Sequence, residues 1–415
     1  MGTGRCWTLT RVTSTTLLNV DEHASAVAAL LAPTPTVRLP LAGCAGLASA
    51  VDLTAPIALP PFDNSAMDGY AVRAADVAGA GPGSDAVELP VAQDIPAGRT
   101  DRLTLAPGTA HRIMTGAPMP AGADAVVQVE HTDGGTSVVR VFHGVEREQH
   151  VRSAGEDVAA GSVVLPAGTT IGAAQIGIAA AVGHAELDVH RRPRVLVLST
   201  GSELVAPGEQ LEFGQIYESN SQMLALAARD AGADAEIAHF VADDVDAFHA
   251  ALAPRMADVD LLLTSGGVSA GAYEVVKDAL ASHGVSFVKV AMNPGRPQGA
   301  GRYLGTPVVT LPGNPVSALV SFEVFVRPAL RRAGGHAVTR RPLVPARLAD
   351  AVGSPAGRRQ FRRGRLAPDG TVSLVGGPGS HLLGSFAASN CLVELAEDVT
   401  AVEAGATVAV WVLAT

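Results

Sequence analysis

From Pro193 onward the chain alternates short continuous apolar runs with stretches of helical spacing. Arg194–Ser199, Ala235–Val241, Val259–Thr264, Ser286–Val290 and Pro307–Leu311 are rich in β-branched and aliphatic residues and predict buried strands. Between and after them, Asn220–Ala231, Val245–Met256, Glu274–His283 and Pro315–Arg331 predict helices. Buried strands alternating with amphipathic helices predict an α/β domain, a parallel-type sheet with helices on both faces. Upstream, Val20–Leu31 suits a helix, with Asp21 and Glu22 in the first turn where acids complement the helix dipole. A second helix is expected over Leu41–Ala50, and Pro56, Pro60 and Pro61 mark a junction. Ala71 to His143 reads as a β-rich region of short runs and turns. A hairpin is expected there from Ala125–Val129 and Ser137–Phe142 around Asp133-Gly134-Gly135. A further helix, N-capped by Thr170, should end near Gly183. From Pro342 to Thr415 short strands and Gly-rich turns predict a small barrel or sandwich.

Composition narrows the possibilities. The 415 residues suffice for several domains, and 47% apolar against 17% charged residues excludes a charge-rich disordered chain. Lys+Arg 30 against Asp+Glu 40 leaves a net charge of -10, which argues against nucleic-acid binding. An anionic ligand must therefore be held by a local cluster. Cys6, Cys44 and Cys391 lie far apart, so neither a disulfide framework nor a cysteine metal site is expected, and a reducing cytoplasm fits. The start has no signal-peptide pattern, and Ile171–Val182 is too short to span a membrane. A cytoplasmic protein without membrane or nucleic-acid partners is the expectation.

In open α/β sheets ligands bind beyond the carboxyl ends of the strands. Three loops fall there: Ser199-Thr200-Gly201-Ser202-Glu203, Thr264-Ser265-Gly266-Gly267-Val268-Ser269 and Leu311-Pro312-Gly313-Asn314-Pro315. Glycines let backbone N–H groups approach an anion, and Asn314 with Pro315 reads as an N-cap followed by the first helical residue. Taken singly, each loop could also be a tight strand–helix turn, but three on one edge favour a ligand site. Neither a dinucleotide fingerprint nor a P-loop is present. Lysine occurs only at Lys277 and Lys289; Lys277 reads as a solvated helix position, whereas Lys289 with Arg296 is a candidate anion holder. The basic run Gly357–Arg365 is either an anion site or an edge strand protected by charge. Glu203, Asp243, Asp244 and Glu274 follow strand ends, where carboxylates beside an anion site could hold Mg²⁺. Each alone is as well explained by a helix N-terminus.

Pro61-Phe62-Asp63-Asn64-Ser65-Ala66-Met67-Asp68-Gly69-Tyr70-Ala71 resembles the signature of the molybdopterin molybdenumtransferase family, to which the C-terminal part of gephyrin is related. Ile113–Pro118, Gly155–Asp157, Ser199–Gly201 with Glu203-Leu204, Gly214–Tyr217, Ser265–Ser269 and Leu311–Ser317 follow in the family's order. The resemblance runs from about Val20 to the end of the chain. It implies insertion of molybdate into adenylylated molybdopterin with release of AMP, in the presence of Mg²⁺. It also implies four domains: an elongated discontinuous one (19–55 and 146–190), an inserted β-rich one (56–145), an α/β molybdopterin-binding one (191–336) and a C-terminal β-barrel (337–415). Residues 1–18 match nothing and are expected to be disordered. The family works as a homodimer, and the adenylyltransferase of the preceding step is a candidate partner.

Carried over residue by residue, the resemblance implies catalytic roles for Asp68, Thr115, Glu203, Asp243, Glu274 and Lys289, with Asp157 a further functional position. Glu203 and Glu274 would hold the metal. Ser265, Gly266, Gly267, Ser269, Arg296, Pro312, Gly313, Asn314, Pro315, Arg363 and Ser380 would bind substrate, and Asp68 and Thr115 would complete the cleft from the partner chain. Three positions depart from the common pattern: Glu274 stands for Asp, Asn293 for Lys and Arg296 for Lys. No Ser-His or Cys-His pair accompanies these motifs, so electrostatic catalysis without a covalent enzyme intermediate is expected. The competing expectations are a molybdopterin adenylyltransferase, a tungstate-selective paralogue and a non-catalytic scaffold.

Overall fold

The computed structural model describes residues 17–201, 203–239, 245–266 and 275–413. The chain forms two compact units, one of Met1–Val37, Gly46–Ala50 and Val189–Thr415, the other of Arg38–Ala45 and Val51–Asp188.

The first unit holds a six-stranded sheet in the order Asp234–His239, Arg194–Ser199, Leu261–Ser265, Thr306–Leu311, Pro297–Tyr303, Ser286–Lys289. The first four strands are parallel, as expected. The last two are antiparallel to their neighbours, so the sheet is mixed rather than wholly parallel. The strand Pro297–Tyr303 has no β-branched run to announce it, and its glycines are there for space. A Cβ on Gly299 would collide with Thr310 Oγ1, and one on Gly301 with the Gly284 carbonyl.

Alternation along the strands builds two cores, since successive side chains point to opposite faces. Val195, Val197, Leu261, Leu263, Val309 and Leu311 pack with Leu224, Ala228, Val316 and Phe325 on one face. Leu196, Leu198, Leu262 and Val308 pack with Phe248, Leu252, Val276 and Leu280 on the other. Helices thus cover both faces. The helix from Pro315 runs through a π-turn at Phe322–Val326 and on to Ala333.

Downstream, Arg359–Leu366, Thr371–Leu374, Leu343–Leu348, Thr407–Val412 and Cys391–Leu395 pair in sequence and close back on Arg359–Leu366. This is a closed five-stranded barrel. The basic run therefore lies in a strand paired on both sides, not on a charge-protected edge. Arg359 pairs with Asp21 at 2.8 Å and Glu397 at 3.0 Å, tying the Val20–Leu30 helix to the barrel.

In the second unit a five-stranded sheet runs in the order Ala125–Gln128, Gly69–Val72, Ala110–Ile113, Val87–Ile95, Val138–Val141. The expected hairpin is not formed: Ala125–Gln128 and Val138–Val141 occupy opposite edges. Gly69 explains the preference, because only a residue without Cβ lets the Val127 carbonyl lie against it. The helix expected over Leu41–Ala50 is reduced to a 3-10 turn, Leu41–Gly43, and Gly46 at φ +76° is incompatible with continuing it. The helix after Thr170 starts later, at Ala173, with Gly172 in the N-cap position in place of Thr170. Among the described residues no helix is long and apolar enough to cross a membrane.

Candidate active site

Three chain segments meet at the carboxyl edge of the first unit's sheet. The Thr200 N–H donates to Ser265 O at 3.3 Å, and the Gly266 N–H to Leu311 O at 3.2 Å. Gly266 has φ +96°, and a Cβ there would lie 2.6 Å from Thr200 O. A Cβ on Gly313 would in turn touch Gly266 Cα at 3.5 Å. Glycine at 266 is therefore what lets its turn close on Thr200, whereas the approach at Gly313 is ordinary contact. Ser265 is buried; its hydroxyl accepts from Asn220 Nδ2 at 2.9 Å and donates to Pro312 O at 3.2 Å, which commits its one proton inside the protein. Gly313 and Asn314, both exposed, lie at the same edge, and their amides have no acceptor among the described residues. Asn314 is at the N-cap position, but its side chain does not cap. Its Nδ2 donates instead to Ser380 Oγ at 3.0 Å, and the Val316 N–H donates to Ser380 O at 3.2 Å.

The loop that carries Ser380 is held from the barrel by Arg363. This guanidinium donates to the carbonyls of Gly379 (3.0 Å), Gly377 and Val375. It is 4% exposed and bonds to carbonyl dipoles, with no carboxylate partner among the described residues. Burial, and then repulsion from Arg362, pushes its pKa below the usual arginine value. A buried cation without a counter-charge favours an anion nearby.

The Glu203 carboxylate is exposed and folds back over Gly201, where a Cβ would stand 2.5–2.8 Å from its carboxyl atoms. Lys289, also exposed, ends the Ser286–Lys289 strand opposite Pro297. Continuing the Gly299↔Thr310 register by two residues puts Pro297 level with Pro312. Lys289 is thus two strands from Pro312, about 10 Å at ordinary sheet spacing. Arg296 lies in the turn beside it, its carbonyl accepting from the Val290 N–H at 2.7 Å, and its Nε is buried with no partner among the described residues. Asp243, Gly267, Ser269 and Glu274, with Ser202 and Asp244, lie outside the described residues.

In the second unit, Asp68 and Thr115 come together although 47 positions apart. The Asp68 carboxylate accepts from Thr115 N at 2.6 Å and Oγ1 at 2.8 Å. These two bonds hold its pKa below the ordinary aspartate value, so the exposed carboxylate stays charged. The neighbouring strand Asn64–Ser65 fixes the Thr115 loop, through Gly116 N–H to Ser65 O at 2.8 Å and Ser65 N–H to Ala117 O at 3.1 Å. Asp157 lines a pocket of ≈ 400 Å³ with Pro61, Phe62, Asn64, Gly116 and Arg152.

Comparison with known proteins agrees along the length of the chain. The MoeA N-terminal region (domain I and II) matches residues 18–183, a probable molybdopterin binding domain matches 196–332, and the MoeA C-terminal region (domain IV) matches 345–413. Molybdopterin molybdenumtransferase 2 of Mycobacterium tuberculosis is 55% identical over 401 residues, covering 95% of this chain and 99% of that protein. The chain belongs to the molybdopterin molybdenumtransferase family. A second family member, the molybdopterin molybdenumtransferase of Haemophilus influenzae, is 35% identical over 406 residues, covering 95% of this chain and 98% of its own. The crystal structure of a molybdopterin biosynthesis moeA protein from Pyrococcus horikoshii OT3 superposes with a TM-score of 0.84 at 29% identity, covering 96% of this chain and 100% of that one. Asn220, which the sequence places only at the start of a helix, is a buried residue at this edge that no motif announced. A polar residue at the first turn of a helix that follows a strand-end loop is the signal that could have marked it.

Proposed function

We propose that the chain is a molybdopterin molybdenumtransferase, inserting molybdate into adenylylated molybdopterin with release of AMP. The observation that carries this reading is the convergence of the Thr200, Gly266 and Gly313 turns, locked to Ser380, at one sheet edge of a chain matched nearly end to end by this family. Free amides at Gly313 and Asn314 suit phosphate or oxyanion oxygens. Arg363 supplies positive potential, while Lys289 and Arg296 stand at the neighbouring strand end. Two anionic reactants repel; fixed donors that need no reorganisation offset that repulsion, and this is electrostatic catalysis.

Mg²⁺ belongs to the reading as well. The fit is one of donor chemistry, since Glu203 presents a hard carboxylate oxygen donor beside Gly201. When bound, such an ion would neutralise phosphate oxygens. Glu203 and Glu274 are proposed to hold the metal and the nucleotide phosphates, with Asp243 a further catalytic residue. Ser265, Gly266, Gly267, Ser269, Pro312 and Pro315 are proposed to shape the substrate cradle. The charged Asp68 carboxylate and the Thr115 that orients it are proposed to act from the partner chain of a homodimer in the cytoplasm, where the molybdopterin adenylyltransferase is the proposed supplier of substrate. The deciding experiment is molybdate-dependent release of AMP from adenylylated molybdopterin, repeated with tungstate. Adenylylation of molybdopterin from ATP, with no AMP release on adding molybdate, would overturn it.

A further inference from the structure

We infer that Asn220 is a positioning residue whose carboxamide clamps the two glycine turns of the sheet edge at the spacing the reaction needs. The inference rests on the transferase reading above. Asn220 opens the Asn220–Asp230 helix and is only 9% exposed. Its Nδ2 donates to Ser265 Oγ at 2.9 Å and to Gly313 O at 2.7 Å, so both amide protons are used. Because the Ser265 hydroxyl donates its own proton to Pro312 O, one carboxamide fastens the end of the Leu261–Ser265 strand to the turn after Thr306–Leu311. The side chain cannot easily rotate away. Leu224, Ala225 and Ala228, all fully buried, anchor the helix on the sheet, and Ser221 N and Oγ donate to Glu218 at 2.8 and 2.6 Å. Asn220 Oδ1, by contrast, is buried with no partner among the described residues. A bare carbonyl oxygen in the interior is unfavourable, so folding stability does not by itself explain an asparagine here. What the residue does achieve is the placement of two N–H donors between the end of one strand and the turn after another, whose Gly313 and Asn314 amides have no acceptor among the described residues.

The experiment compares the wild-type chain with Asn220→Ala, Asn220→Asp, Ser265→Ala and the Asn220→Ala/Ser265→Ala double variant. Hydrogen exchange read by mass spectrometry gives a result independent of turnover. In Asn220→Ala, peptides covering 261–266 and 311–317 should exchange at least about tenfold faster, while the barrel strand Cys391–Leu395 keeps its wild-type rate. In steady-state AMP release the KM for adenylylated molybdopterin should rise about tenfold to a hundredfold, with a smaller change in kcat. Asn220→Asp keeps the shape but sets an oxygen against Gly313 O, and should be at least as impaired as Asn220→Ala. The double variant should be little worse than Asn220→Ala, because both changes open the same clamp. Unchanged exchange and KM would overturn the inference, as would faster exchange spread through the barrel or additive effects in the double variant. If the wild-type chain releases no AMP, the transferase reading fails, and the exchange data still decide whether the clamp exists.

Discussion

Replacing Gly266 with alanine tests whether the close approach of the edge turns matters. A side chain at φ +96° is strained by roughly 1–3 kcal/mol before any contact is considered. The new Cβ would stand 2.6 Å from Thr200 O, so that carbonyl must retreat by roughly 1 Å to reach ordinary contact distance. The Thr200 N–H to Ser265 O bond, already 3.3 Å, would be lost, adding about 0.5–1.5 kcal/mol. Together these predict destabilisation of about 2–4 kcal/mol. They also predict a fall in kcat/KM on the order of a hundredfold, since a 1 Å displacement in a preorganised site has that effect. Gly201→Ala is the matched control. Its φ is ordinary, and the three atoms nearest its Cβ belong to the flexible end of Glu203. Stability should stay within about 0.5 kcal/mol while Glu203 is pushed aside and metal-dependent AMP release falls. Urea unfolding followed by circular dichroism gives the first quantity and AMP release the second. If Gly266→Ala unfolds at the wild-type midpoint with a normal rate, the tight meeting of these turns is not what builds the site.

Glu203→Gln should abolish AMP release with an unchanged unfolding midpoint, and normal turnover would refute the proposed metal role of Glu203. Thr115→Val deletes the hydroxyl donor to Asp68; because bonding depresses that carboxyl, its pKa should rise toward the ordinary aspartate value, measurable by carbon-13 titration. Asp68 is charged above its folded pKa and loses that charge as pH falls through it, so any acid limb it governs should move to higher pH in the variant. His23 is buried and neutral, its pKa lowered to about 4 by desolvation. Between about pH 6.5 and 4 the unfolded chain binds the extra proton, so stability should drop by about 1.4 kcal/mol per pH unit through this group. His23→Met should flatten that slope, as urea midpoints across the range would reveal. Mixing inactive Asp68→Ala and Lys289→Ala chains should restore part of the activity if a partner chain completes the site; no recovery in verified mixed dimers would count against it.

The alternating half of the chain was legible because its strands are continuous aliphatic runs, and such runs make sense only between two helix layers. Pro297–Tyr303 was not legible. Its glycines suppress every strand signal, and the reason for them, the bulk of Thr310 and Gly284 on neighbouring segments, is visible only in three dimensions. The misplaced hairpin failed similarly: a turn-like Asp133-Gly134-Gly135 argued for local pairing, whereas Gly69, more than fifty positions earlier, accepts the Ala125–Gln128 strand. In the site, the glycine turns could be found from their position after strands, and Lys289 from the scarcity of lysine. The Asp68–Thr115 pair and the Asn314–Ser380 contact join residues 47 and 66 positions apart. No periodicity links such pairs; only the family resemblance put them on one list.

The Asn314–Ser380 contact has a bearing on modular exchange between relatives. The turn from Val375 to Ser380 is gripped on one side by a barrel arginine and on the other by a residue of the α/β sheet edge. A hybrid that joins one relative's barrel to another's sheet must therefore match two short stretches that never touch in sequence. Splicing at the 337–342 connection would transplant one half of a fastening without its mate, so chimeras should be drawn to keep 311–317 and 375–380 from the same parent.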